Sequence, residues 1–188
     1  MVQVELALQL QASLPSPNDV LDQAADPSVV LSGASHGQWQ QYFAQWLTHL
    51  CPSGGASSIY ELSLVFTCDA EIQALNATYR HQDQPTDVLA FAALEWEGPP
   101  LPDGSDEPIQ LGDIVISLDT AARQAKEQGY PLPLELMWLS CHGLLHLLGW
   151  DHPDTAQLER MLTQQSELMA LVGAQAPVWS AAEFGYLH

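Results

Sequence analysis

Basic residues are scarce in this 188-residue sequence, which has 23 acidic residues and a formal net charge of -19. The basic residues are Arg80, Arg123, Lys126 and Arg160. Proteins bind nucleic acids and anionic membranes through clusters of Lys and Arg, so broad electrostatic attraction to either surface is disfavoured. We interpret most of the acidic residues as solvating groups that keep the surface soluble.

Cysteine and long apolar runs are also rare. Cys51, Cys68 and Cys141 form an odd set without CxxC spacing, which predicts no disulfide framework and a reducing compartment. No apolar run is as long as a membrane span, and no basic region followed by a long apolar stretch begins the sequence. We therefore expect a soluble, cytoplasmic protein with no membrane partner.

The sequence does contain enough apolar material for one core. Hydrophobic residues make up 47% and charged residues 14% of the chain, as in globular proteins. The length suits one domain, which we predict to span 1–188. Proline, glycine and serine predict loop-rich stretches near 13–35 and 95–108, and the tail over 173–188 is predicted to be irregular.

Hydrophobic periodicity predicts an α+β fold. Alternating apolar residues indicate a half-buried strand over 2–10, and helical spacing indicates a helix over 38–50. Further strands are predicted at 59–66, 88–94 and 112–118, and further helices at 69–80, 120–128, 133–148 and 154–172, with a short helix compatible with 19–25. We expect several helices to pack against one small mixed sheet, in an order that the pattern does not reveal.

Three histidines, His142, His146 and His152, follow the pattern HxxxHxxxxxH. On a helix, residues four apart project from nearly the same face, as two imidazoles that share an ion must. Gly149 predicts a helix stop, after which His152 can return and supply a third nitrogen. We predict that the three histidines bind one zinc ion per chain. The alternative, ordinary helix histidines hydrogen-bonded to neighbours, suits one histidine better than three.

Three protein ligands leave a tetrahedral ion one position for water or substrate, which is typical of catalytic sites. Zinc proteases with a similar zincin-like metal helix carry Glu directly after the first His as a general base. Here Gly143 occupies that position, which argues against peptide hydrolysis. Asp151 or Asp154 could orient a ligand imidazole, although capping or surface roles are the expectation for both.

The histidine segment resembles that of the YbeY family of bacterial rRNA-maturation endoribonucleases. Two upstream blocks share the resemblance and occur in the family's order: LNATYR at 75–80 leading into PTDVLAF at 85–91, and LGDIVIS at 111–117. The resemblance spans roughly 59–172. Ala90 departs from the pattern, because the family usually has Ser at that position.

This resemblance implies a zinc-dependent, single-strand-specific endoribonuclease that acts in 16S rRNA 3′-end maturation and ribosome quality control. The implied partners are rRNA and the small ribosomal subunit or its proteins. His142, His146 and His152 match the family's metal ligands, and Arg80 matches its functionally important arginine. A guanidinium can bind phosphate through two hydrogen bonds and stabilise charge that develops during cleavage.

Other interpretations of Arg80 and of the whole chain stay open at this point. Arg80 could instead interact with the helix dipole or pair with Asp83 or Asp87. With four cations, the chain should bind free RNA weakly unless a ribosomal partner helps or the ion, Arg80 and Arg123 or Lys126 form a locally positive cleft. The alternatives to a ribonuclease are a peptidase or small-ester hydrolase, and a non-catalytic zinc-binding ribosome-assembly factor.

Overall fold

The structure is a computed structural model that describes residues 2–11, 34–51, 59–93 and 108–177. The elements in chain order are β1 (Gln3–Leu10), α1 (His36–Leu50), β2 (Ile59–Thr67), α2 (Asp69–Arg80), β3 (Val88–Ala92), β4 (Ile109–Ser117), α3 (Leu118–Gln128), α4 (Leu132–Leu147) and α5 (Thr155–Leu171). The predicted α+β class is confirmed. The expected loops near 13–35 and 95–108, the helix at 19–25 and most of the tail lie outside the described residues, so the single-domain division stays a prediction.

The four strands form one mixed sheet in the order β1-β2-β4-β3. The first three strands are parallel, and β3 runs antiparallel to β4 at the edge of the sheet. Gly112 lies opposite Ala92, and a Cβ atom built on it would overlap the Phe91 carbonyl oxygen. With its φ of 122°, this position therefore requires glycine.

One face of the sheet carries the main core. Helices α1, α4 and α5 pack there, and the buried side chains include Trp39, Phe43, Trp46, Leu64 and Ile114. The indole Nε1 of Trp46 donates to the Leu168 carbonyl oxygen at 2.8 Å, which ties α1 to α5. Helix α4 is buried on almost all sides, because the sheet, α3 and α5 surround it.

The opposite face is covered by α2. Val65, Val115 and Leu89 point towards Ile72 of this helix and form a second, smaller cluster. Strand alternation explains the division, since neighbouring residues of one strand point to opposite faces. The same alternation places every second residue of β1 in the core, as predicted for the first strand.

The element boundaries differ from the predicted ones by a few residues. Helix α3 begins at Leu118 rather than at 120, because Ser117 is its N-cap and accepts a hydrogen bond from the Thr120 backbone nitrogen at 3.3 Å. Strand β4 begins at Ile109 instead of at 112. The Cys141 side chain, on α4, is fully buried in the core. Among the described residues, no helix combines the length and apolarity that crossing a membrane requires.

Candidate metal centre

Helix α4 and the turn after it bring three imidazoles together. The Nε2 atoms of His142 and His146 lie 3.0 Å apart on one face of the helix. Gly149, with a φ of 82°, lets the chain reverse after the helix ends. His152 thereby returns, with its ring centroid 5.6 Å from that of His142 and 5.2 Å from that of His146.

The chemistry of this donor set suits a transition-metal cation. One ligand nitrogen from each of the three histidines lies within 4.8 Å of the other two. Two ligands of a tetrahedral zinc ion, each at 2.0–2.1 Å, are separated by about 3.3 Å, close to the Nε2 spacing of the helical pair. His142 is buried while the other two histidines are half-buried, so the group lies at the base of an opening. The three histidines thus form a group that could hold a metal ion.

Gln165 of α5 orients the first of these imidazoles. Its Oε1 atom lies 3.3 Å from Nδ1 of His142, and its Nε2 atom donates to the Trp138 carbonyl oxygen at 2.8 Å. Because the amide is held by this second bond, it presents an acceptor to Nδ1 and the imidazole directs Nε2 towards the other histidines. The side chain of Gln165 is fully buried.

Gln165 orients the imidazole in place of Asp151 or Asp154, the two aspartates that the sequence suggested for this role. Asp154 caps α5 by accepting a hydrogen bond from the Gln157 backbone nitrogen at 2.8 Å. Asp151 accepts one from the His152 backbone nitrogen at 2.8 Å. The signal for Gln165 was a polar residue on an otherwise apolar helix face, whose other buried members are Leu158, Met161, Leu162, Leu168 and Met169.

A pocket of about 210 Å³ opens in front of the histidines. Its other walls are the edge strand β3 and the last turn of α2, which contributes Asn76 and Arg80. The Nδ2 atom of Asn76 donates to the Gln84 carbonyl oxygen at 2.8 Å and holds the segment after α2 beside the pocket. The structure therefore places Arg80 and the three histidines, which are distant in sequence, around one opening.

The other cations do not join this opening. All four basic residues lie in the part of the chain that the structure describes, and Arg80 is the one that lines the pocket. Arg123 is 3.6 Å from the Asp69 carboxylate at the start of α2. Although burial raises the pKa of Asp69, hydrogen bonds from Ser117 and Thr120 and the charge of Arg123 hold it below its usual value. Arg123 therefore pairs with Asp69 and does not line the pocket with Arg80.

Comparisons with known proteins identify the family. The model of the family described as Endoribonuclease YbeY matches residues 31–173. The chain belongs to the YbeY family. A relative named Endoribonuclease YbeY from Acaryochloris marina is 56% identical over 138 residues, 73% of this chain and 78% of the relative. Another of that name from Trichormus variabilis is 49% identical over 173 residues, 92% of this chain and 96% of the relative. A solved Thermotoga maritima protein is more remote, with 18% identity and a TM-score of 0.46 over 88% of this chain and 90% of its own.

Close packing explains why a glycine, Gly143, directly follows His142 in this YbeY-family chain. A Cβ atom built on Gly143 would lie 2.7 Å from Cγ2 of Ile114 in β4. A glutamate at this position would thus collide with the sheet on which α4 packs. The carboxylate that serves zinc proteases is excluded here by the architecture of the core.

Two buried carboxyl groups, Asp87 and Glu135, lie near each other in this YbeY-family chain. Asp87 accepts hydrogen bonds from the Val88 backbone nitrogen at 2.7 Å and from Nε2 of Gln124 at 2.9 Å. Glu135 on α4 accepts one from the Tyr130 hydroxyl. Burial raises the pKa of Glu135 to about 7, an effect that the Tyr130 hydrogen bond opposes and the negative charge of Asp87 reinforces. Asp87 thereby anchors the start of β3, where the pocket begins.

Proposed function

We propose that the protein is a zinc-dependent endoribonuclease that cleaves single-stranded RNA in 16S rRNA 3′-end maturation and in ribosome quality control. One observation carries the proposal: three convergent imidazoles and one guanidinium line the same pocket. Relatives that cover most of this chain are named endoribonucleases. Hydrolysis of a phosphodiester needs groups that bind the anion and stabilise added charge, and the pocket offers them.

The protein's own groups bind and orient the scissile phosphate. When bound by His142, His146 and His152, zinc supplies Lewis-acid activation of the nucleophile and of the phosphoryl group. Gln165 keeps Nε2 of His142 directed into the pocket by accepting from Nδ1. Arg80 donates two parallel hydrogen bonds to the phosphate and stabilises the negative charge that accumulates on it during cleavage.

The shape of the pocket favours an unpaired strand. The histidines lie at the base of an opening of about 210 Å³ between the edge strand β3, the end of α2 and the end of α4. A flexible single strand can bend its phosphate into such a recess, whereas a stiff duplex holds its phosphates along a regular helix. This explains the single-strand specificity that we propose.

The net charge of -19 supports a role for a ribosomal partner. Arg80 alone among the four basic residues lines the pocket, so phosphate contacts contribute little to the affinity for free RNA. We propose that the small ribosomal subunit or one of its proteins delivers the rRNA in the cytoplasm. Tight, strongly salt-dependent binding of naked RNA by the isolated protein would contradict this part of the proposal.

Zinc analysis beside an rRNA cleavage assay tests the central proposal. We expect the wild type to bind one zinc ion and to cut single-stranded rRNA, and a chelator to abolish cleavage until zinc is restored. His146→Ala should lose both properties. His49→Ala should keep both, because His49 lies on α1 beside Glu167 and outside the pocket. Zinc-dependent peptide or ester cleavage without RNA cleavage would indicate the other hydrolase classes. Zinc-dependent ribosome binding with intact RNA would indicate an assembly factor.

A further inference from the structure

An exposed aromatic ring lies next to the arginine of the pocket. Tyr79 is 62% exposed, the highest value among the large hydrophobic side chains that the structure describes. It directly precedes Arg80 in the last turn of α2. Phe91 of β3 lies behind it, with the two ring centroids 5.1 Å apart and the planes at 67°. Phe91 therefore contacts the phenol ring in an edge-to-face arrangement, and much of the surface of Tyr79 is exposed to solvent.

This ring belongs to a recess separate from the metal pocket. A cavity of about 380 Å³ beside Tyr79 is also lined by Phe91 and Asp113. Phe91 and Asp113 are direct partners in the β3–β4 register, and Asp113 is exposed. We call Tyr79, Phe91 and Asp113 the Tyr79 patch. It combines an aromatic surface with the carboxylate of Asp113, a hydrogen-bond acceptor.

The Tyr79 patch and the metal pocket both adjoin the edge strand β3. Ala90 lines the metal pocket and Phe91, the next residue, supports Tyr79. Consecutive strand residues point to opposite faces of a sheet, and Leu89, which shares the face of Phe91, also lines the metal pocket, so the two places meet at β3. On the α2 side the two places are also adjacent, because Arg80 lines the metal pocket and Tyr79, the preceding residue, belongs to the patch. A chain whose phosphate contacts Arg80 can thus continue around the edge strand to Tyr79.

Because the chain has few basic residues, it can bind RNA through bases that stack on its aromatic side chains better than through contacts with the phosphates. The chain has four cations, one of which lines the metal pocket, so it cannot follow an RNA backbone with a basic groove. Aromatic rings bind single-stranded bases without needing positive charge, and unpaired bases are free to stack. A carboxylate beside the ring accepts hydrogen bonds from base amino groups.

We propose that the Tyr79 patch binds one unpaired base of the RNA, the base of a nucleotide adjacent to the phosphate that Arg80 contacts. This rests on the proposed ribonuclease function and names a further part of its substrate site. Tyr79 provides the stacking surface and Asp113 accepts a hydrogen bond from the base edge. Bases with an amino group are therefore preferred over uracil at this position.

A 2-aminopurine scan tests the patch directly. Single-stranded oligoribonucleotides with 2-aminopurine at one position each, on both sides of the cleavage site, are mixed with zinc-loaded protein by stopped flow. We expect quenching at one adjacent position with the wild type and with Tyr79→Phe, which keeps the aromatic face. Tyr79→Ala should lose this quenching and raise KM roughly 5- to 150-fold, with a smaller change in kcat. Asp113→Ala should reduce the preference over uracil.

Leu171→Ala is the matched control, since Leu171 is the other exposed large hydrophobic residue described and lies on α5. It should leave quenching and KM unchanged. Equal quenching by the wild type and Tyr79→Ala would overturn the proposal that the Tyr79 patch binds a base. The absence of position-specific quenching by the wild type would overturn it as well. Quenching that depends on Tyr79 without any RNA cleavage by the wild type would overturn the proposed function instead, so the two failures are distinguishable.

Discussion

The amide oxygen of Gln165 lies 3.3 Å from Nδ1 of His142, and this contact links the two helices behind the metal pocket. Gln165 is on α5, whereas His142 is on α4. Because the same amide donates to the Trp138 carbonyl oxygen, its orientation is determined. The imidazole therefore has one tautomer, in which Nδ1 donates to Gln165 and Nε2 faces His146.

The first prediction concerns this contact. Gln165→Leu keeps the buried volume similar but removes the acceptor, so His142 loses its fixed orientation. We expect zinc affinity to fall about 10- to 100-fold, measured by competition with a chromophoric chelator. Gln164→Leu is the control, because Gln164 is next in sequence and forms a hydrogen bond with Glu167 rather than with a histidine. Equal zinc affinities for the two variants would show that Gln165 does not position the ligand.

A second prediction tests the role of Arg80 in the chemistry. Removing the guanidinium in Arg80→Ala should lower kcat/KM for RNA by about 10²- to 10³-fold while zinc affinity stays the same. Arg80→Lys should recover only part of the loss, because an ammonium cannot form the two parallel hydrogen bonds. Lys126→Ala makes the same charge change on α3, outside the pocket, and should retain activity. Full cleavage by Arg80→Ala would remove Arg80 from the mechanism.

A third prediction concerns the contact of α4 with the sheet. Alanine in place of a helical glycine normally stabilises a helix by up to about 1 kcal/mol. Gly143→Ala should instead destabilise the protein by about 1–3 kcal/mol in urea unfolding, because its methyl group would meet the Ile114 side chain.

Gly37→Ala is the matched control for that substitution. Gly37 is also helical, in α1, and a Cβ atom built on it meets nothing within 4 Å. It should be neutral or slightly stabilising. Combining Gly143→Ala with Ile114→Ala should cost less than the sum of the two single changes, since the cavity accepts the added methyl group. Strict additivity would argue against the clash.

A fourth prediction follows from the raised pKa of Glu135. Its pKa is raised from an ordinary value of 4.5 to about 7 in the folded protein, so the folded state binds this proton more tightly than the unfolded chain. The resulting stability is present below pH 4.5 and is lost as the pH rises through about 7.

Glu135→Gln mimics the protonated form of the side chain and should remove the loss of folding stability that accompanies rising pH. Relative to the wild type, the variant should gain stability between pH 5 and pH 8, by roughly 3 kcal/mol at most. Urea unfolding of both proteins across this range measures the difference. Glu127→Gln removes an exposed carboxylate of α3 and should follow the wild-type profile. Parallel profiles for wild type and Glu135→Gln would contradict the assigned pKa.

Elements with strong periodicity were predictable, and their ends were less so. The alternation in β1 and the helical spacing in α1 depend on residues that are neighbours in sequence, so the pattern alone indicates each element. The start of α3 depends on the Ser117 side chain, which is both the last residue of β4 and the helix cap. Boundary positions are decided by such individual hydrogen bonds.

Some features of the candidate site were likewise predictable from local spacing, and others depend on contacts between distant residues. The spacing of His142 and His146, with a glycine before His152, predicted a convergence that local helix geometry produces by itself. Gln165 was not predictable as the partner of His142, because nothing local relates residues on two helices. The absence of Arg123 from the pocket was equally unpredictable, since its partner Asp69 lies on another helix.

The sequence by itself determined the α+β class, the helix that brings two histidines together and the family, because short-range spacing and composition are properties of the chain. Tertiary structure alone decided the strand order β1-β2-β4-β3, which puts β3 at the edge where Arg80 and the histidines meet. The physical reason is that apolar faces lower the free energy by packing wherever their shapes complement each other, however far apart they are in sequence.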